Sequence, residues 1–297
     1  MPLLRAPVLI SLKNILLATD FSEYSQTALA VAADLARRHR AMLWLTHVVP
    51  AQPRLFIPGE AVPVCLDAEW MAAEKDMASL RLSSLLQGVS YESVLERGEL
   101  WPVLSDIIAK HDVDLIVLAT HGRGGISKLL LGSVAEEIVR LAPSPVLAVG
   151  PESLASVAPQ ETLTQILYAT DFQPGSLAAA AWALSLAQEN YAHLTLLHVL
   201  EMQNDAANHA EPLREQTIHR LMDLIPAEAR LERIPQFLVE CGPPADVILQ
   251  VAAETKADLI VMGARPSRHS FILSHLAWSM THRVLALAKC PVLTVRG

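Results

Sequence analysis

Cysteine is scarce in this chain, and the few cysteines it has are far apart. They stand at Cys65, Cys241 and Cys290, and no two of them form a C-x-x-C pair. An odd, scattered set of thiols suits neither a disulfide framework nor a structural zinc site. The cysteine usage therefore favours a reducing compartment, and we expect the protein to be cytoplasmic.

The chain also lacks an excess of basic residues. It has 23 lysines and arginines against 31 aspartates and glutamates, so its formal net charge is −8 with histidine neutral. Proteins that bind nucleic acid through the phosphate backbone need a basic surface. The charge balance therefore argues against nucleic acid as a partner.

Long hydrophobic runs are missing as well. No stretch approaches the roughly 20 apolar residues that a membrane-spanning helix needs, so we expect no membrane partner. The apolar start is not interpreted as a secretory signal. Lys13 and Asn14 interrupt it, and no small-residue cleavage site follows before the first predicted strand.

What the chain does contain is a long internal repeat. The segment Ile15–Phe21 reappears 151 positions later as Ile166–Phe172, and Asp114–Val117 returns as Asp258–Val261. This indicates a duplicated domain, because solenoid repeats are only about 20–50 residues long. With 297 residues, 52% of them hydrophobic, the chain can fill two cores. We predict a first domain at 1–150, a linker at 151–162 and a second domain at 163–297.

Within each half, short runs rich in valine, leucine and isoleucine alternate with amphipathic stretches. In the first half this pattern predicts strands at 14–19, 42–48, 91–96, 113–119 and 146–149. It predicts helices at 22–38, 67–86, 102–110 and 133–141. The alternation indicates a doubly wound α/β fold, in which helices cover both faces of a parallel sheet. Ligands of such folds bind at the carboxyl ends of the strands, beside the switch in strand order.

A glycine-rich loop follows the fourth predicted strand. It runs from Gly122 to Gly132, and a helical pattern begins directly afterwards. Ser133 and Glu136 have the spacing of a capping box, which predicts that Ser133 caps this helix. A strand, a glycine loop and an exposed helix N-terminus can together hold a phosphate, because glycine lets the anion approach the backbone. We therefore expect the chain to bind a nucleotide.

This loop matches neither of two common nucleotide-binding fingerprints. A G-x-G-x-x-G dinucleotide motif would lie early in a βαβ unit, and the P-loop pattern lacks its second glycine and its hydroxyl here. The loop instead resembles that of the universal stress protein family, whose ATP-binding members carry G-x-x-G, nine residues, and then G-[ST]. Gly122, Gly132 and Ser133 fit this pattern, and Ala119 replaces the first glycine.

The resemblance spans nearly all of both halves. It implies two tandem five-stranded parallel sheets with strand order 3-2-1-4-5, and a bound ATP or related adenine nucleotide, with or without Mg²⁺. In single-domain members of the family the last strand mediates dimerisation. We therefore expect Pro145–Val149 and Pro291–Val295 to pair as an intramolecular pseudo-dimer, because an edge strand seeks a partner. A homodimer of whole chains is left open.

The resemblance also implies which residues of the first strand meet the ligand. Asp20 follows Ala18 and Thr19 at the strand's end, and the family's matching aspartate lies at the nucleotide. The alternative role of Asp20 is to cap the next helix, but Ser22 can fill that role. We therefore expect this strand end to contact the nucleotide.

The end of the second predicted strand supplies a further candidate. Val48 matches the family's adenine contact, although an ordinary core valine fits the pattern equally well. Its neighbour His47 is expected to point to the opposite face, because side chains alternate along a strand. We interpret His47 as structural.

The loop and the helix start contribute mainly through their backbone. The residues expected to shape the anion site are Ala119, Gly122, Gly132, Ser133 and Val134. Arg123 and Lys128 lie within the loop and could neutralise phosphates, or could simply be solvated surface charges.

The second half departs from this pattern in its own loop. Asp171 and Gly263 are kept, but Pro266 occupies the place of the second glycine and Trp278 that of the third. Proline removes an N–H donor, and the indole would fill the space that a phosphate needs. The second site is therefore expected to be closed or to take a different ligand.

These features predict a cytoplasmic universal stress protein that binds an adenine nucleotide in its first half. It would act in the stress response together with an unidentified protein client. The sequence shows no nucleophile–base pair and no carboxylate cluster for two metals, so any ATP hydrolysis should be slow. The alternative is a nucleotide-free interaction scaffold, in which the glycine loop is a relic.

Overall fold

The computed structural model describes residues 10–51, 64–122, 131–151, 153, 163–200, 210–264 and 280–297. The first half alternates strands and helices. Its elements are β1 (Asn14–Ala18), α1 (Glu23–His39), β2 (Met42–Pro50), α2 (Val64–Arg81), β3 (Ser90–Gly98), α3 (Leu100–Lys110), β4 (Leu115–Ala119), α4 (Ser133–Leu141) and β5 (Val146–Val149).

The second half repeats this alternation. Its elements are β6 (Gln165–Ala169), α5 (Pro174–Asn190), β7 (His193–Leu200), α6 (Ala210–Met222), β8 (Gln236–Cys241), α7 (Pro244–Glu254), β9 (Leu259–Ala264) and β10 (Val292–Arg296). Residues 280–287, just before β10, are helical.

The ten strands of the described residues join into one sheet in the order β3-β2-β1-β4-β5-β10-β9-β6-β7-β8. The expected order 3-2-1-4-5 is thus confirmed in the first half, and the second half has the same order. Strands within each half are parallel, whereas β5 and β10 pair antiparallel across the boundary between the halves. Leu147 pairs with Leu293 at the centre of this seam. The two halves therefore form the expected intramolecular pseudo-dimer.

Each face of the sheet carries one hydrophobic core that runs through both halves. Alternate residues of one strand enter different cores, as Leu17 and Leu16 do. Helices α1 and α5 pack on the face that holds Leu17. Helices α3, α4 and α7 pack on the opposite face. This two-sided burial explains why the strands read as nearly continuous aliphatic runs.

The repeated aspartate of the Asp-Leu-Ile-Val motif fastens the first strand of each half. Asp114 Oδ2 accepts hydrogen bonds from the backbone N–H groups of Lys13 and Asn14, at 2.7 and 2.9 Å. In the second half, Asp258 Oδ2 accepts equivalent bonds at the start of β6. This aspartate therefore has the same structural role in both copies.

Two local expectations need correction. The predicted helix at 67–86 ends earlier, because α2 stops at Arg81 and a separate 3₁₀ turn covers Ser84–Leu86. Helix α4 does begin at Ser133, but Gly132 is its N-cap, since the Gly132 carbonyl accepts the first helical bond from Glu136 N–H at 2.9 Å. The proposed capping box at Ser133 is therefore wrong by one residue.

The seam predicts how an isolated first half behaves. A chain of residues 1–150 exposes the unpaired edge of β5, and an uncovered apolar edge is a template for pairing. We expect this half to self-associate in sedimentation equilibrium as its concentration rises. The Ala148→Pro variant removes a backbone N–H that faces β10 in the full chain, so this half should associate less. A first half that stays monomeric at high concentration would show that the seam is not what holds the halves together.

Candidate functional site

A cleft of about 500 Å³ opens at the carboxyl ends of β1, β2 and β4. We call it the first cleft. It lies beside β1, which pairs with β2 on one side and with β4 on the other, so the strand order switches there. This is the position at which doubly wound sheets bind ligands. The cleft is lined by nine of the ten residues predicted for the site: Ala18, Thr19, Asp20, Val48, Ala119, Gly122, Gly132, Ser133 and Val134. The tenth, Arg123, lies outside the described residues, as does Lys128.

A tight polar turn forms the wall of the first cleft after β1. Thr19 Oγ1 accepts a bond from Phe21 N–H at 3.0 Å, and Phe21 adopts a left-handed backbone with φ of 61°. Asp20 Oδ1 accepts bonds from Ser22 N–H at 3.0 Å and from the Ser25 hydroxyl at 2.5 Å. Left-handed backbone in a bulky residue is strained, so these bonds are what hold the turn.

Asp20 had two expected roles, capping the next helix or contacting the ligand, and its two carboxylate oxygens lie in different surroundings. Oδ1 builds the turn, while Ser22 caps α1 by accepting a bond from Ser25 N–H at 3.2 Å. Oδ2 lies toward Gly122, where an added Cβ atom would come within 2.5 Å of it. Because Oδ1 is anchored, the carboxylate cannot easily withdraw. Position 122 therefore requires glycine as long as Asp20 keeps this orientation.

The opposite wall is the start of α4. Gly132 N–H donates to the Thr120 carbonyl at 2.8 Å, and a Cβ atom at Gly132 would lie 3.3 Å from that oxygen. Ser133, Val134 and Ala135 follow in the first turn and line the cleft. First-turn N–H groups have no acceptor within their own helix, and they carry the positive end of its dipole. This wall is suited to an anion.

A third part of the lining is apolar. Val48 is half-buried, whereas Leu104 of α3 and Leu118 of β4 are almost fully buried. These side chains belong to the core on the α3 and α4 face of the sheet. The first cleft therefore combines an apolar surface with a polar turn and a helix N-terminus, which is the arrangement expected for small-molecule sites.

Two histidines border the first cleft. His47 Nδ1 bonds to the Thr19 carbonyl at 2.7 Å, and its ring lies 4.5 Å from that of Phe21. Its ring packs against Phe21 on the α1 side of the sheet, whereas Val48 belongs to the opposite core, so the two side chains point to opposite faces as expected. Both still line the cleft, which opens at the end of their strand. His121 Nδ1 bonds to Thr120 Oγ1 at 2.9 Å. The structural interpretation of His47 thus agrees with its hydrogen bond and with the direction of its side chain.

Sequence reasoning passed over three lining residues of note: Tyr24, Thr120 and His121. The rings of Tyr24 and His121 lie 5.9 Å apart across the cleft. A signal for Thr120 and His121 was available, since they stand directly between the end of β4 and Gly122. Tyr24 lies in the first turn of α1, and only packing brings it to the cleft.

The polar turn recurs in the second half. Thr170 Oγ1 accepts from Phe172 N–H at 3.0 Å, Asp171 Oδ1 accepts from the Ser176 hydroxyl at 2.7 Å, and His198 Nδ1 bonds to the Thr170 carbonyl at 2.7 Å. Phe172 is again left-handed, with φ of 59°. The network is therefore a property of the fold, and its presence does not by itself indicate a ligand.

The two halves differ in the space beside this turn. Gly175 occupies the position of Tyr24, and an added Cβ atom there would lie 3.0 Å from the Ala264 carbonyl. A Cβ atom at Gly263 would lie 2.4 Å from Ser176 N, and one at Gly297 would lie 2.5 Å from the backbone of Pro174. The start of α5 thus rests on the ends of β9 and β10, backbone against backbone. Pro266 and Trp278, on which closure was predicted, lie outside the described residues.

The titratable groups of the second half reflect this close packing. Burial lowers the pKa of His198 below its usual 6.5; the bond to the Thr170 carbonyl opposes that effect, and nearby Arg220 adds to it. Tyr168 stands where the first half has Leu17, and its hydroxyl donates to the Ser176 carbonyl at 2.6 Å. Burial raises the pKa of this phenol far above its usual range. Both groups are held neutral and support the fold.

Among the described residues, no group of three or more histidine, cysteine, aspartate or glutamate side chains could hold a metal ion. Within the same residues no helix is long and apolar enough to cross a membrane. Cys241 and Cys290 are free thiols, and burial raises the pKa of Cys290 to about 12, so that thiol is unreactive.

The fold defines a doubly wound α/β protein, and its first cleft opens at the strand ends beside a helix N-terminus. The sequence profile of the universal stress protein family matches this chain twice, at residues 11–150 and 162–296. The chain belongs to that family and carries two tandem copies of its domain.

The chain is also similar to individual proteins. Universal stress protein A homolog 1 of Coxiella burnetii is 32% identical over 138 residues, which are 46% of this chain and 95% of the relative. The crystal structure of a universal stress protein from Archaeoglobus fulgidus covers 95% of this chain and 96% of its own, with 20% identity and a TM-score of 0.66. Another universal stress protein was crystallised in complex with cAMP; it is 23% identical, covers 46% of this chain and 98% of its own, and has a TM-score of 0.38.

The lowered pKa of His198 predicts a dependence of stability on pH. Since the folded pKa lies below the unfolded value of 6.5, the unfolded chain takes up the proton first. The contribution of His198 is therefore fully present above pH 6.5 and is lost as the pH falls from that value toward the lower folded pKa. We expect the free energy of unfolding in urea to decrease between pH 7.5 and pH 5.5.

A non-titrating variant isolates the part due to this residue. Glutamine at position 198 keeps an N–H donor for the Thr170 carbonyl, so His198→Gln should show a shallower pH dependence than the wild type. His47→Gln, the same change in the other copy, is the matched variant. If the wild type and His198→Gln lose stability equally on acidification, His198 is not held neutral by its surroundings.

Proposed function

We propose that the first half binds ATP or a related adenine nucleotide in the first cleft, and that the second half is a structural or regulatory copy. The observation that carries this proposal is that a glycine lies at each of the two polar walls of the cleft. Gly122 leaves room for the Asp20 carboxylate, and Gly132 is the N-cap of α4. Both glycines keep side chains out of the space where a phosphate would approach backbone N–H groups.

The lining suggests how the nucleotide would lie. The phosphates would sit at the first turn of α4, next to Gly132, Ser133 and Val134, which border the cleft. The base would lie on the apolar side, against Val48 and Leu104. Asp20 Oδ2 would then accept hydrogen bonds from the ribose, as acidic residues do in other doubly wound nucleotide sites.

Charge balance decides what accompanies the phosphates. Asp20 is the one formally charged side chain among the described residues that line the cleft. A triphosphate beside a carboxylate needs cationic compensation. Mg²⁺ can supply it, and so can Arg123 and Lys128 of the glycine loop. The donors fit a nucleotide whose metal is held mainly by its own phosphates, because Mg²⁺ usually keeps several waters and takes only one or two carboxylates.

The cellular role follows from membership of the family. We propose that the protein acts in the cytoplasmic stress response, where the nucleotide-bound state would present a surface to a protein client. The scarcity of cysteine supports the reducing compartment. A homodimer of whole chains would have to use other surfaces, because β5 and β10 already pair with each other. Any ATP hydrolysis would be slow.

A nucleotide-free interaction scaffold is the second candidate. One observation favours it: the turn around Asp171 forms the same network as the turn around Asp20, although α5 rests on the neighbouring strand ends. The fold thus maintains this network in a copy whose helix start packs directly against the neighbouring strand ends. Heating the purified protein and measuring the adenine absorbance of the released material separates the two candidates, since only the nucleotide-binding protein releases adenine.

Replacing Gly132 with tryptophan should abolish nucleotide binding, because the indole would occupy the approach to the start of α4. We expect the affinity for ATP, measured by calorimetry, to fall by about a hundredfold or more, which corresponds to about 2.8 kcal/mol. The circular dichroism spectrum should stay unchanged, because Gly132 borders the open cleft.

The matched control places the same indole elsewhere. Leu82 is 86% exposed, so Leu82→Trp should bind ATP like the wild type. Equal affinity of the wild type and Gly132→Trp for ATP would contradict the assignment of the site. Failure of the folded wild type to bind any adenine nucleotide would favour the scaffold.

A further inference from the structure

A second cavity of about 570 Å³ lies between α1 and α5, where the two halves meet. We call it the interdomain groove. Its floor is made by one leucine from each of the four central strands: Leu115, Leu147, Leu293 and Leu259. Leu115 begins β4, whereas Ala119 at the other end of β4 lines the first cleft. The interdomain groove is therefore separate from the proposed nucleotide site.

The walls of the interdomain groove are apolar and follow the internal repeat. Val31 and Leu35 of α1 face Trp182 and Leu186 of α5, and each pair is 151 positions apart in the sequence. The same leucine-rich surface of each copy therefore contributes one half of the groove. Trp182 in place of Val31 is the main asymmetry, and it adds an aromatic surface on one side.

Polar contacts tie the two halves together at the rim. Arg38 donates to Asn190 Oδ1 at 3.1 Å, and His39 Nε2 lies 3.7 Å from Glu189 Oε2. The Ser185 hydroxyl accepts from Ile10 N–H at 2.8 Å and donates to Glu189 Oε1 at 2.9 Å. These contacts fix the spacing of α1 and α5, so the groove is preformed.

The rim carries more negative than positive charge. The carboxylates of Asp34, Glu189 and Asp258 line the groove, whereas Arg38 is the one side chain among its described lining residues that is always cationic. Arg38 is itself paired with Asp34 at 2.6 Å. An anionic head group would meet like charge at this rim, while a neutral or cationic one would not.

An apolar space of this size is suited to a ligand. Small-molecule sites measure about 300–1,000 Å³, are mostly apolar with a few polar groups, and occur preferentially at domain interfaces. A much smaller leucine-lined cavity, of about 150 Å³, already stays dry and binds apolar molecules. Water would find few hydrogen-bond partners over the leucine floor.

We propose that the interdomain groove is a second binding site, which takes a neutral or cationic amphiphile with a hydrocarbon body. The hydrocarbon would lie on the leucine floor between α1 and α5, and the head group would face the carboxylates of the rim. This site goes beyond the proposed nucleotide binding and does not depend on it.

The test uses the full-length protein, a reporter dye and three competitors that share a twelve-carbon hydrocarbon chain. Nile red, a neutral apolar dye, is the reporter and should bind with saturable fluorescence at one molecule per protein chain. Dodecylamine and dodecanol should displace it, and dodecanoate should require at least about a tenfold higher concentration because of the negative rim. ATP should not displace the dye.

Variants that fill the groove make the assignment specific. Leu35→Trp and Leu186→Trp each place an indole in a wall, and each should lower the dye affinity at least about tenfold. Using one variant from each helix guards against a single misfolded protein. Leu82→Trp on the exposed surface is the matched control, and it should bind the dye like the wild type.

Four results would overturn the proposal. Equal dye binding by the wild type and both filled variants would place the dye elsewhere. Dodecanoate that binds as tightly as dodecylamine would exclude the assigned ligand class. Saturation only after removal of residues 1–9 would assign the groove to the chain's own amino-terminal segment. A dimer that Leu35→Trp converts to monomer would assign the groove to a second copy of the chain.

Discussion

The antiparallel pairing of β5 with β10 is the interaction on which the rest of the structure depends. Backbone hydrogen bonds across this seam turn two five-stranded sheets into one sheet of ten strands. Both hydrophobic cores then continue across it, and α1 and α5 come to share one face. Because the strands of the two halves run in opposite directions, the carboxyl ends of the first half's strands and those of the second half's strands point in opposite directions along the sheet. The two copies therefore have separate ligand positions, while the interdomain groove belongs to both.

The duplication provides an internal comparison of fold with function. Residues that support the fold are kept in both copies, as Asp114 and Asp258 show by fastening β1 and β6. The turn network around Asp20 and Asp171 is kept in the same way. The copies diverge in the space beside the turn, where Tyr24 of the first half is replaced by Gly175. An aspartate that is present in both copies is thus weaker evidence for a ligand than an open space beside that aspartate.

A large part of the fold follows from the sequence pattern. The aliphatic runs and their alternation with helices predict the α/β class, and the repeat predicts two copies. Their joining through the last strands is implied by the resemblance to the universal stress protein family. The start of α4 at Ser133 was also predictable, although its cap at Gly132 was not. Capping depends on which carbonyl accepts the first helical bond, and neighbouring serine and glycine residues compete for that position.

Other features depend on packing that no local pattern encodes. The register that sets Leu147 against Leu293 is fixed by both halves together. His47 is held at the border of the first cleft because its ring bonds to the carbonyl of Thr19, directly after β1. The backbone contacts of Gly175 and Gly263 appear only when α5 is placed on β9. In each case the decisive contact joins residues that are far apart in the sequence.

The central claim is that the two copies are unequal and that the first one holds the nucleotide. A crystal structure of the whole chain grown with an ATP analogue tests this claim most directly. We predict one nucleotide per chain, with its phosphates at the first turn of α4 beside Gly132 and its base against Val48. Two equivalent nucleotides per chain, or a single one bound at the ends of β6 and β9, would contradict the account.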